Sequence, residues 1–196
     1  STLGSLAVTN ITATSGAVDL DADDNVALSG NVTAANGLTV DSTRGGVDQS
    51  SGRIRVTQGA STIAASTDVV LDSETNEFGD AVNASGDDVT IAATGDLEIG
   101  TLTASGDSNL SANGSLDLTG GIVANTITAS SATADINVGN VTANAAMSLD
   151  AQQTVTMTGT IGVQTTLDVT AGRGVIQQPT GTLTVTDGPA TMSALY

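Results

Sequence analysis

The sequence predicts an all-β fold: a parallel β-helix, or β-solenoid, of about eight coils, each with about 20 residues and three short strands. Three observations predict it. A four-residue apolar motif returns mostly every 19 to 21 residues along the chain. Each copy is followed by two further apolar-x-apolar triplets, the period-two signature of a strand with one buried side. Aromatic residues make up only 1% of the chain, too few for an ordinary globular core and in keeping with a narrow interior.

The first triplet of each coil reads Asn10 to Ala13, Asn31 to Ala34, Thr62 to Ala65, Ala81 to Ala84, Thr101 to Ala104, Gly121 to Ala124, Asn140 to Ala143, Thr160 to Val163 and Thr191 to Ala194. The second runs Val18/Leu20, Leu38/Val40, Val69/Leu71, Val89/Ile91, Leu110/Ala112, Ile127/Ala129, Met147/Leu149 and Leu167/Val169. The third runs Val26/Leu28, Ile54/Val56, Leu97/Ile99, Leu116/Leu118, Ile136/Val138, Val155/Met157 and Leu183/Val185, with its weakest member ending at Phe78. Gly, Asn, Asp and Ser fill the turns, where their backbone freedom and local hydrogen bonding are useful. No segment carries a 3.6-residue apolar period, so helix is not expected. Like residues of successive coils should stack, and Val32, Ile63, Val82 and Leu102 should share one column.

One coil reads as longer by about 11 residues, with Arg44 to Gly52 as the insertion, and the feature returns at Arg173 to Gly181. Residues 30–65 match residues 159–194 without gaps, an offset of 129 (159 less 30). Arg44/Arg173, Gln49/Gln178 and Val56/Val185 are among the matched positions. A higher-order unit of six coils is therefore expected above the short repeat. Residues 1–196 read as a single β-helix segment of a longer tandem array, whose first and last coils abut further coils or the next copy of the chain.

The Gly-x-[Val/Leu/Ile]-Thr-Ala coils at Gly30 to Ala34, Gly100 to Ala104 and Gly139 to Ala143 resemble the β-helical rod of filamentous-haemagglutinin-like adhesins, as does the run Gly174 to Val185. That family comprises large bacterial surface proteins exported by two-partner secretion or autotransporter routes. The resemblance implies an extracellular, cell-surface fibre that mediates attachment to a host, cell or matrix ligand. Carbohydrate-active or tailspike-like β-helices and ice-binding solenoids are the alternatives. The outward positions mix Thr, Asp, Ser, Glu and Asn, so no uniform Thr face is expected.

Charge and composition bound the rest. Four Arg oppose 21 acidic residues, a net charge of −17, which argues against a nucleic-acid partner. No apolar run reaches the length of a membrane span. With no Cys and no His, catalysis would rest on carboxylates or hydroxyls, and a sugar cleft would find only Phe78 and Tyr196 as platforms, so no enzyme is expected. No cofactor is expected apart from Ca²⁺. Asp21, Asp41 and Asp72 each follow the same triplet, and stacked at one corner they would offer hard oxygen ligands to that cation. Solvated turn residues are the other reading. Arg44, Gln49, Arg53, Arg173 and Gln178 are the candidate interaction residues of the repeated Arg-Gly-x-x-x-Gln segment. The structural reading of that segment is preferred: an extra strand or bulge, with Gln49 and Gln178 satisfying turn amides. Arg55 is expected to face Glu77 of the next coil.

Overall fold

The computed structural model describes residues 4–177 and 181–195, and the candidate Gln178 lies outside them. Every regular element among these residues is a strand, and every strand pairing is parallel. The chain is a parallel β-solenoid with three faces. No helix among the described residues is long and apolar enough to cross a membrane.

The first face is a ten-stranded sheet, from Leu6–Val8 through Val26–Leu28, Val47–Gln49 and Val69–Leu71 to Ala190–Ala194. Ten rungs make nine turns, one more than the sequence reading. On this face the shortest steps are 19 residues, Val89 to Ser108 and Ser108 to Ile127, and the longest is 23, Leu167 to Ala190. The second and third faces belong to one thirteen-stranded sheet, because long strands such as Val32–Ser42 and Ile54–Ala65 run round the corner between them. Those two strands bend at Gly37 (φ 96°) and Gly59 (φ 76°), left-handed backbone that favours glycine.

Alternation sends one side chain in and the next out. The inward columns are aliphatic, and Leu28, Ile63, Ile91, Leu102 and Ile122 are among the fully buried side chains. Each such side chain stabilises the fold by about 1.5–3 kcal/mol relative to an exposed one. Aromatic bulk is nearly absent because opposing faces leave room for little more than Leu, Ile and Val.

No single coil carries an eleven-residue insertion. Val47-Asp48-Gln49 is an ordinary rung of the first face, in register with Val26-Ala27-Leu28 on one side and starting opposite Val69 on the other. Its inward Gln49 breaks the apolar-x-apolar pattern and hides it from a pattern search. Counting it restores the phase of everything before it. Val32 pairs with Ile54 on the second face, not with Ile63, so the expected column is corrected. On the third face Val40 pairs with Ile63, Ile63 with Ala84, and Ala84 with Leu102, while Val82 sits opposite Ser61. Gly174–Gln177 is likewise a rung, paired with Thr154–Met157 on the second face.

The 129-residue offset consequently does not return to the same face. Val32 of the second face matches Ile161 of the third, and Leu38 of the third matches Leu167 of the first. The sequence unit spans six turns and one further face.

Candidate functional site

The three aspartates do not form one corner. Asp21 and Asp41 are register partners on the outer side of the third face. The next residue in that column is Ala64. Asp72 follows Leu71, which belongs to the first face and pairs with Ile91. The triad is thus split between two faces by the uncounted rung at Val47–Gln49. All three side chains are exposed. No group of three or more acidic side chains that could hold a metal ion occurs among the described residues.

Many corner Asx residues have a structural task instead. Asn10 Oδ1 accepts the Asn31 amide at 3.0 Å, and Asn31 Oδ1 accepts the Arg53 amide at 3.1 Å. Asp68 Oδ1 takes the Asp88 amide at 3.2 Å, and Asp88 Oδ1 takes that of Asp107 at 2.7 Å. Each side chain reaches one coil along the axis and pairs an amide where the strand ladder is interrupted.

The arginines divide between two clusters. The Arg44 guanidinium, itself exposed, lies 3.7 Å from the half-buried Asp23 and 3.4 Å from the half-buried Asp24. Arg55 and Glu77 are register partners, as expected, with Arg55 Nε donating to Glu77 Oε2 at 2.9 Å. Arg53 Nη1 donates to Glu77 Oε1 at 3.4 Å, so one carboxylate bridges two guanidinium groups. A shallow groove of about 390 Å³ beside this cluster is lined by Phe78, Gly79, Gly95 and Asp96. Arg173 is exposed, and its backbone amide donates to Gln153 O at 2.7 Å.

Gln49 has a role that its sequence does not announce. It is 3% exposed and lies in an inward column between Leu28 and the Leu71 level. Its Nε2 donates to Asn76 Oδ1 at 2.9 Å, and Asn76 Nδ2 donates to Gln49 Oε1 at 2.8 Å. Nε2 also reaches the Gly52 carbonyl at 3.3 Å, so Gln49 satisfies a turn carbonyl and not the turn amides anticipated. Asn76, absent from the sequence candidates, is the centre of this network. It is fully buried, accepts the Ile54 amide at 2.8 Å and donates to the Leu71 carbonyl at 3.3 Å. The signal that could have found it is the missing apolar residue before Glu77-Phe78, where every other coil places Leu, Ile or Val. Two further buried hydroxyls, Ser61 Oγ and Ser108 Oγ, make no hydrogen bond.

The outer faces differ in charge. The second carries Arg55, Glu77, Glu98 and Asp117, and the first carries Asp48, Asp107, Asp150 and Asp168 among neutral residues. The third is mixed only at its beginning, where Asp19, Asp21 and Asp41 stand. From Thr62 on its outward positions are uncharged, with Thr interspersed among Asn, Ser, Ala, Val and Gly.

Residues 15–85, rather more than a third of the chain, match the model of a family described as repeats of unknown function (DUF5649). No curated protein and no solved structure matches the chain. The matched stretch contains the rung at Val47–Gln49, the Gln49–Asn76 pair and the Arg53–Glu77–Arg55 bridge. Family match and fold together describe a repeat β-solenoid protein.

Proposed function

We propose that this chain is a structural and adhesive rod segment of a large extracellular bacterial surface protein, and that it is not an enzyme. The observation that carries the reading is the ladder: nine turns stacked on three faces over an aliphatic interior. Such a ladder gains length at ~4.8 Å per turn, so nine turns span roughly 43 Å. Parallel strands lie across the axis, so the rod is held along its length by backbone hydrogen bonds. Its partners in this reading are further coils, or end-to-end copies, stacked on the rung at Ala190–Ala194, where Met192 is 43% exposed. A surface ligand on host cells or matrix is the other partner. The resemblance of the Gly30 to Ala34 and Gly174 to Val185 stretches to filamentous adhesins supports the same assignment.

Beads coated with the fragment test it. Adhesion to cells or immobilised matrix well above that of beads coated with an unrelated acidic protein is the expected result. Release of reducing sugars from polysaccharide with no adhesion would replace the rod reading by a carbohydrate-active one.

A further inference from the structure

The third face presents two outward columns, each one residue per coil. From Thr62 one runs through Asn83, Thr101 and Asn140 to Thr182. From Ala64 the other runs through Ser85, Thr103, Val123 and Thr142 to Thr184. Gly121 and Thr160 complete the first column and Gly162 the second, and neither column holds an Asp, Glu or Arg over these seven rungs. In a chain of net charge −17 this is a segregated surface. Val123, 42% exposed, stands at its middle and is one of three exposed large apolar side chains among the described residues. A shallow groove of about 170 Å³ runs between the columns beside Ser85 and Thr101.

We propose that this face is a lateral docking surface for a second copy of the same chain, face to face. Charge selects the partner and the geometry. The second face would set the mixed charges of Arg55, Glu77, Glu98 and Asp117 against each other and the first the carboxylates of Asp48, Asp150 and Asp168, whereas this one sets hydroxyl, amide and methyl groups against their like. Flat sheets with short side chains pack about 10 Å apart. An antiparallel, two-fold arrangement uses the same patch on both copies. It also keeps the acidic beginnings of the face, Asp19, Asp21 and Asp41, at opposite ends of the pair. Seven rungs at ~4.8 Å cover about 30 Å, so with a width near 10 Å the contact buries about 600 Å² in total, well under the usual size for a stable complex. Pairing of one segment is therefore weak. Asp80 and Asp87 lie at the flanking corners and Asp107 opens the adjoining first-face strand, so salt strengthens it by screening them.

Sedimentation velocity of the intact chain decides it. In half-molar sodium chloride the sedimentation coefficient should rise with protein concentration towards millimolar, and in low salt it should stay that of a monomer. The variant Thr103→Asp/Thr142→Asp, which puts like charges across the contact, should lower the association constant at least tenfold. The variant Thr90→Asp/Thr128→Asp adds the same charge on the first face and should leave it within about twofold. Circular dichroism and melting of both variants establish that they fold. A monomer throughout, or equal loss in both variants, overturns the proposal. So does association that neither variant changes, which is the behaviour of end-to-end stacking. Thermal hysteresis without self-association would assign the face to ice instead.

Discussion

At the scale of single residues, the least expected feature is a polar pair inside an aliphatic core. Asn76 pairs the Ile54 amide, the Leu71 carbonyl and both ends of the Gln49 amide group. Removing it orphans several buried groups at once, each costing about 1–3 kcal/mol. Asn76→Ala should therefore destabilise by roughly 3 kcal/mol or more in urea titration. Gln49→Leu is different, because Leu28 already fills the equivalent place one coil away and Asn76 keeps its two backbone partners. That substitution should cost less than about 1 kcal/mol. Equal losses for the two would show that Asn76 is not the centre of the network. Ser108 makes the opposite point. Its hydroxyl is buried and unpaired between Val89 and Ile127, so Ser108→Ala should stabilise by about 1 kcal/mol.

At the scale of the coil, corners and cross-coil pairs set how closely turns stack. Gly52 adopts φ 81°, and a Cβ there would lie 2.2 Å from the Gly30 carbonyl oxygen of the preceding coil. Backbone strain and a backbone clash add, so Gly52→Ala should cost about 2 kcal/mol or more and shift the melting midpoint visibly. The Arg53–Glu77–Arg55 bridge holds two coils together across the surface, but its side chains are 40–49% exposed. Glu77→Gln should change stability by less than about 1 kcal/mol, and less still at high salt. A larger loss in calorimetry would mean that the bridge orders the short strand Glu77–Phe78.

At the scale of the whole molecule, charge and phase matter most. Like charges along a net −17 rod oppose its compact state. Melting temperature should rise from low to moderate sodium chloride as the Debye length falls to about 10 Å near 0.1 M. A fall would mean that favourable ion pairs dominate. Calcium should add nothing beyond this ionic-strength effect, since Asp72 stands on a different face from Asp21 and Asp41. A melting shift abolished by chelator but not by matched sodium chloride would restore a specific site. The 129-residue unit brings a further consequence. Because it spans six turns and one face, the matched positions of the second copy stand a third of a turn round from those of the first, so that Val32 lies on the second face and Ile161 on the third.

The all-β class, the period near 20, three strands per coil, an aliphatic interior and the Arg55–Glu77 pairing were all legible in the residues alone. These features follow from local alternation and from spacing within one or two coils, which a linear pattern carries directly. The face to which each strand belongs was not legible. All three faces share the same apolar-x-apolar alternation, and steps of 18 to 23 residues blur the count. Inward Gln49 then hides a rung and displaces every earlier assignment by one face, and the uncounted rung at Gly174–Gln177 displaces Leu183/Val185 and Thr191 to Ala194 after it. Only the closed ladder removes that ambiguity, because each strand must pair with the coils before and after it. The same pairing decided that Asn76 meets Gln49 across 27 residues, that the three aspartates part company, and that both outward columns of the third face are uncharged from Thr62 on.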